Sequence, residues 1–454
     1  GHFYLLDFIL SFNPSAAGDA KLEKLNQLSV SACLVLGNIS GIYKPQNEPL
    51  TSTEEKLQSA LAQLLTKGNL ERMRQQSEFQ FIGGLTEAYE SPVSIWNEST
   101  RNELASFIRS RIQAHQHSQQ EEPDTLSFTF SAHQQELQID GIFLRYYIQN
   151  PSWRLQNARS FVCKLLAEIE GSTQQTEKLT LILQSLYFVL TETQGLEKLI
   201  VSSEALDQFF VLLSASETTL QSLVLNIFLH ATANQACVDA ICASNRLPQF
   251  VSFLRNGELE QRRILLEVVS NMVSCSARAV EGITTSGLIL YLLHYVVSSS
   301  DEQLCGQSLG VLKQTKSSSG LDTRFSDATK LFLPAYLVAT LDRPANFLHI
   351  FSKEIRSPNI VWDSKCRSAV QQHVSSTLSN FQSSNSKEWN YSSVQRLNFE
   401  ELCGQTIVGG VYLDLYLDRP EARLHNPASF IDECMSTFSS SSDNQLQSKL
   451  LLAL

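Results

Sequence analysis

The sequence lacks the usual apparatus of catalysis. It has no Gly-x-x-x-x-Gly-Lys phosphate loop, no Gly-x-Gly-x-x-Gly fingerprint and no His-Glu-x-x-His pair. Gly83-Gly84 and Gly409-Gly410 lack the Lys or third Gly that a phosphate cradle uses. Nine cysteines stand at 33, 163, 237, 242, 275, 305, 366, 403 and 434, with no C-x-x-C pair and no zinc-finger spacing to a histidine. Their odd number, and settings such as Ala32-Cys33-Leu34-Val35, read as buried free thiols in a reducing compartment. Cys237 and Cys242, with His230 upstream, lie in apolar helical stretches and read as packing rather than as a metal or nucleophile site. His115 and His117 fall in a polar stretch and read as solvent-facing; Arg262-Arg263 reads as a solvated helix face. Neither an enzyme nor a metal or cofactor site is expected.

Long apolar runs and excess positive charge are also missing. The longest apolar stretches, 287–297 and 331–341, are about 11 residues each, against roughly 20 for a membrane-spanning helix. Asp and Glu number 46 against 35 Lys and Arg, a net charge of −11. That balance argues against a general nucleic-acid or anionic-membrane binder, which needs clustered basic residues for phosphate contacts, and leaves room for a small local basic patch. The sequence shows no signal peptide, opens Gly1-His2 and ends inside a helical pattern, so it reads as a piece of a longer protein.

What is present is repetition. Leu206, Leu247 and Leu288 each open an apolar helical stretch, 41 residues apart, and Leu213, Leu254 and Tyr295 close those stretches at the same interval. Leu225 and Leu266 repeat the spacing in the next helix. A period of about 40–47 residues with two or three helices per unit is the armadillo/HEAT signature. A single helical hairpin cannot bury both apolar faces, so units stack and share a continuous core. Residues 262–273 place Leu265, Leu266, Val269 and Met272 on one face. Ser214, Ser244 and Asn245 suit turns between helices. The 28–39 stretch reads as a similar helix ended at Gly41, and Thr53-Glu54-Glu55-Lys56 opens another over 57–65. Polar breaks at 115–123, 317–320, 379–387 and 439–444 read as loops. The fold class expected is an all-α solenoid of the armadillo/HEAT type.

A longer duplication overlies this period. Ser91-Pro92-Val93-Ser94-Ile95-Trp96-Asn97 followed by Arg101 matches Ser357-Pro358-Asn359-Ile360-Val361-Trp362-Asp363 followed by Arg367, at an offset of 266. Ile139-Asp140-Gly141-Ile142-Phe143-Leu144 then matches Val408-Gly409-Gly410-Val411-Tyr412-Leu413 at an offset of 269. Pro151, Leu155, Asn157, Ser160 and Phe161 match Pro420, Leu424, Asn426, Ser429 and Phe430 at that same offset. Asn97 and Asp363 are suited to cap the helices that follow, and the tryptophan before each can pack on that helix as a staple. Asn426-Pro427 is a cap followed by proline at the first helical position. Gly141 and Gly410 fit a tight turn before a short apolar helix that Pro151 and Pro420 stop. Two readings of the tryptophans and glycines stand: a structural corner, or a surface that docks a partner. Trp153 has Ala422 in its place in the second copy, which marks it as a copy-specific contact or a filler of a local hole.

These two copies resemble the IWN repeats of the receptor-mediated endocytosis protein eight family, large endosomal proteins that carry a DnaJ domain between pairs of such repeats set in armadillo-like helices. The match covers roughly 91–166 and 357–435 and resembles the region after the J domain. The resemblance implies 1–90 as armadillo-like helices, 91–170 as the first repeat module, 171–350 as armadillo-like repeats, 351–438 as the second module and 439–454 as the start of a further helical segment. It implies a cytoplasmic scaffold held peripherally on early endosomes, working in receptor-mediated endocytosis, endosomal sorting and clathrin removal. The implied partners are a retromer-associated sorting nexin and the WASH complex. Hsp70 would be reached only through a J domain, and no His-Pro-Asp occurs in this sequence. The alternative is a generic armadillo adaptor in transport or cytoskeletal regulation. An importin-like version would carry groove tryptophans at the repeat period, and the repeats at 206, 247 and 288 show none.

Overall fold

The computed structural model describes all residues except 12–19, 46, 88–90, 93, 118–127, 132–135, 173–174, 202–203, 215–216, 319–322, 385 and 387. Among the described residues lie 26 α-helices and three two-stranded antiparallel hairpins, so the chain is an all-α solenoid with small β insertions. It divides into two compact units, Gly1–Thr193 and Gln194–Leu454.

In the first unit, His2–Leu10, Ala20–Ile39, Ser52–Leu65 and Glu78–Thr86 surround a core that includes Leu6, Cys33, Leu36, Leu64 and Phe81. Thr51 opens the third of these helices through a reciprocal box. Its side chain accepts from the Glu54 amide, and its own amide donates to Glu54 Oε2 at 2.7 Å. The first turn carries the expected acids Glu54 and Glu55.

The second unit displays the 41-residue period as triplets of helices. Ala205–Leu213, Thr218–Ala231 and Gln235–Ala243 are followed by Leu247–Asn256, Leu259–Cys275 and Ala277–Thr285, then by Leu288–Ser298, Glu302–Ser318 and Thr323–Lys330. Leu265, Leu266, Val269 and Met272 are all buried on the face read from their spacing. Phe210, Phe228 and Phe250 meet with ring centroids 5.2–5.8 Å apart, two rings from the first triplet and one from the second. Polar side chains bridge neighbouring triplets at nearly the same interval. Tyr295 donates to the Leu254 carbonyl at 2.7 Å, Ser276 to Asp239 at 2.9 Å, and Arg263 pairs with Asp301 at 2.7 Å. Gln261, 2 % exposed, donates to the Thr218 carbonyl at 3.2 Å while its own Oε1 accepts from the Glu258 amide.

Several boundaries differ from the expected ones. His115 and His117 belong to the helix Glu98–His117, not to a loop; the rest of that break, from 118, lies outside the described residues. The helix Ser364–Ser383 runs well into the expected 379–387 loop, and Ser317 and Ser318 finish the helix Glu302–Ser318. The 439–444 break shrinks to the three residues between Pro427–Ser440 and Asn444–Ala453. In each case serine or glutamine occupies a solvent face, where polarity does not oppose helix. The 331–341 stretch contains only the short helix Ala335–Thr340, and among the described residues no single helix is long and apolar enough to cross a membrane. Arg262-Arg263 is not a free solvated face: Arg262 donates to the Arg255 carbonyl, and Arg263 bridges repeats. The cysteines are all free, but burial does not extend to every one: Cys163 is exposed, and Cys242, Cys275 and Cys403 are half-buried. Burial pushes the Cys237 and Cys242 thiols up to about 11, which suits packing rather than nucleophilic chemistry.

Candidate interaction modules

Among the described residues the two copies of the duplicated motif share their key bonds. In the first, Trp96 is fully buried and its indole N–H donates to the Leu85 carbonyl at 2.7 Å. In the second, Trp362 is fully buried and donates to the Phe351 carbonyl at 3.0 Å. Each acceptor lies 11 residues upstream, at the end of the preceding helix, so the indole ties back to the helix before it rather than only to the one it introduces. Arg101 caps the same helix end by donating to the Thr86 carbonyl, and Arg367 donates to the Ser352 carbonyl at 2.6 Å. Carbonyls at a helix C-terminus are unsatisfied within the helix and favour a cation. Asn97 and Asp363 cap as expected, accepting from the amides of Thr100 at 3.0 Å and Cys366 at 2.8 Å. The Cys366 amide, first of all, holds the Asp363 carboxyl below its ordinary range.

The glycine elements are more than tight turns: each is the turn of a β-hairpin. Strands β1 (Gln138–Ile139) and β2 (Ile142–Phe143) pair antiparallel. So do β3 (Ile355–Ser357) and β4 (Ile360–Trp362), and β5 (Ile407–Val408) and β6 (Val411–Tyr412). The turn of the first has Asp140 at φ +52° and Gly141 at +79°; that of the third has Gly409 at +57° and Gly410 at +75°. Two successive left-handed residues define the tight hairpin turn that Asp-Gly and Gly-Gly favour. Each glycine hairpin is sewn to the Ser-Pro segment of its module, which in the second module forms the turn of β3–β4: the Phe143 amide donates to the Pro92 carbonyl, and the Tyr412 amide to the Pro358 carbonyl.

The short helices Leu144–Gln149 and Leu413–Asp418 follow, and Pro151 and Pro420 lie just beyond their ends. Asn157 and Asn426 cap the next helices. Tyr147 meets Phe161 edge-to-face at 5.4 Å, and Tyr416 meets Phe430 at 5.0 Å in the same way. One contact is exchanged between copies. In the first, Asp140 pairs with Lys164. At the corresponding positions the second has Gly409, whose amide donates to Glu433 at 2.6 Å. The charge on the helix reverses where the side chain on the turn disappears.

The candidate residues thus fall into two sets. Trp96 and Trp362 are sealed in, while Asn97, Asp363, Gly141, Gly410, Pro151 and Pro420 shape the backbone. Trp153 is different: it is half-buried against Tyr146, with ring centroids 6.1 Å apart. The second copy has Leu415 and Ala422 at these two positions. Sequence reading missed the tryptophans' carbonyl partners and the buried Phe130, which meets Trp96 edge-to-face at 6.0 Å. Phe399, also buried, stands at the Phe130 position of the second copy, so the duplication itself carried that signal.

Elsewhere in the second unit, a cavity of about 520 Å³ is lined by residues that include His373, Asn380, Phe381, Trp389 and Asn390. Burial pulls the His373 imidazole down, keeping it neutral near pH 7. Among the described residues no group of three His, Cys, Asp or Glu side chains is placed to hold a metal ion.

No protein-family model matches the chain. Over 514 aligned residues it is 20 % identical to the DnaJ homolog subfamily C GRV2 of Arabidopsis thaliana, with 96 % of this chain and 20 % of that protein covered. The chain therefore spans about a fifth of the length of this curated relative, and the similarity supports a distant kinship with DnaJ subfamily C proteins. Two engineered proteins of known structure align at TM-scores of 0.37 and 0.38 with 14 % and 11 % identity. The first covers 51 % of this chain and 89 % of its own; the second covers 100 % and 98 %.

Proposed function

We propose that this chain is the protein-binding scaffold region of a larger endosomal DnaJ co-chaperone, without catalytic activity of its own. The observation that carries the reading is the similarity to a DnaJ subfamily C protein along 96 % of the chain. The duplicated modules support it: the first carries Ile95-Trp96-Asn97, the second the degenerate Val361-Trp362-Asp363, and both make the same indole and cap bonds. Stacked repeats offer extended surfaces to partner segments. The partners proposed are a retromer-associated sorting nexin and the WASH complex, met on the cytoplasmic face of early endosomes in endosomal sorting and clathrin removal. Hsp70 would be engaged through a J domain outside these 454 residues.

Trp153 with Tyr146 is the contact proposed for the first module, because it is the tryptophan of the motif region that is both partly exposed and specific to one copy. Aromatic residues of this kind carry a large share of interface energy. The test is an affinity capture from cytosol with the wild-type chain beside Trp153→Ala, followed by titration of purified sorting nexin into each. Recovery of sorting nexin or WASH subunits by the wild type, with binding weakened at least about tenfold in the variant, is the result expected. Recovery of nuclear cargo or cytoskeletal proteins in their place would make the chain a generic armadillo adaptor.

A further inference from the structure

The second module holds a pair of side chains that the first does not. Cys366 lies buried in the first turn of the helix capped by Asp363, and Cys403 ends the short helix Phe399–Cys403, half-buried. Their sulfurs are 3.5 Å apart. A disulfide sets its sulfurs about 2.05 Å apart, so closure needs an approach of about 1.5 Å, the scale of a side-chain adjustment. Lys365 donates its ammonium to the Leu402 carbonyl at 3.0 Å, which ties the helix that carries Cys366 to the residue before Cys403. At the corresponding positions the first module has Thr100 and Gln134. The dithiol therefore belongs to one copy and is not needed to build the fold the two copies share.

We propose that Cys366 and Cys403 form a redox-active dithiol that a peroxide converts into a disulfide within the second module. Cys403, the more accessible sulfur, attacks one peroxide oxygen; the S–O bond forms, the O–O bond breaks, and the thiol proton leaves with the departing oxygen as water. Cys366 then attacks the sulfenic sulfur; the S–S bond forms, the S–O bond breaks, and the hydroxyl departs as a second water with the Cys366 proton. Two thiols lose two electrons and the peroxide gains them. Burial pushes the Cys366 thiol up and makes it a poor target for free oxidants. It acts instead as the resolving thiol, where proximity replaces intrinsic reactivity. The disulfide fixes Phe399–Cys403, and with it the start of β5, to the capped helix. A small-molecule or protein dithiol reverses it.

The test uses the 454-residue chain treated with stoichiometric hydrogen peroxide, alkylated, and mapped by mass spectrometry without reduction. The expected result is a loss of about 2 Da, the two hydrogens of a dithiol, in a peptide pair joining Cys366 to Cys403, restored by dithiothreitol. In Cys366→Ser, whose folding is checked by circular dichroism, Cys403 should accumulate as a dimedone-reactive sulfenic acid. The proposal is overturned if both thiols remain alkylatable while the exposed Cys163 is consumed. It is equally overturned if Cys403 proceeds to the sulfinic acid with Cys366 still free.

Discussion

Three tryptophans share a motif region and differ in what surrounds them. Trp96 and Trp362 each combine full burial with an indole hydrogen bond to a helix-end carbonyl. Replacing either with alanine should cost about 3–5 kcal/mol, and with phenylalanine about 1–3 kcal/mol, because the carbonyl loses its donor. Trp153→Ala should cost below about 2 kcal/mol, since the side chain is only partly buried. Urea denaturation of the variants would rank them, and a Trp153 cost equal to the others would return that residue to packing. The caps make a second contrast. The Asp363 carboxyl is held low chiefly by the Cys366 amide, so its folded value lies below its unfolded one. Its contribution is complete above the unfolded value, about 3.9, and is lost as pH falls through the folded value. Asn97 makes the same bond without a titrating group. Asp363→Asn should therefore match the wild type at pH 7 and lose less stability at pH 3, while Asp363→Ala should cost about 1 kcal/mol at pH 7. Denaturation midpoints at the two pH values distinguish these outcomes. The caps were legible because a cap acts on the residues directly after it. The tryptophans' acceptors were not, because a bond to a carbonyl 11 residues upstream exists only once two helices meet.

At the scale of elements, the helical array was legible and the hairpins were not. Leu206, Leu247 and Leu288 announce helices because an apolar stripe can be counted over ten residues or more. Strands β1 and β2 hold two residues each, too few to show an alternation, and only Asp140-Gly141 and Gly409-Gly410 hinted at them. The glycine at 409 has its own cause. A Cβ there would sit 2.6 Å from the Phe430 backbone, on a residue already at positive φ. Its amide is also engaged by Glu433, which would repel a carboxylate. Gly409→Asp, which copies the first module, should destabilise the second by about 1–3 kcal/mol, and adding Glu433→Lys should recover only the electrostatic part. Full recovery in the double variant, read by denaturation, would mean that charge alone distinguishes the two turns. Serine-rich ends of the helices Ser364–Ser383 and Pro427–Ser440 escaped sequence reading for the opposite reason, since a polar solvent face looks like a loop when its buried side carries few residues.

Through the three triplets of the second unit, the interval of about 41 residues sets both the helices and the bonds between them. Contacts of this kind join nearest neighbours only, so stability is a sum of repeats and the interfaces between them. Gln261 tests this. Its buried side chain joins the helices Thr218–Ala231 and Leu259–Cys275 of successive triplets. Gln261→Ala strands the polar groups it served, at about 1–3 kcal/mol. In a repeat array that loss stays local. Amide hydrogen exchange should quicken between about 5- and 150-fold in the two triplets that Gln261 joins, roughly 205–285, while the core around Leu36, Leu64 and Trp96 in the first unit keeps its protection. Uniform loss of protection from end to end would mean instead that the chain opens as one cooperative body, and the repeat period would then describe its ancestry rather than its energetics.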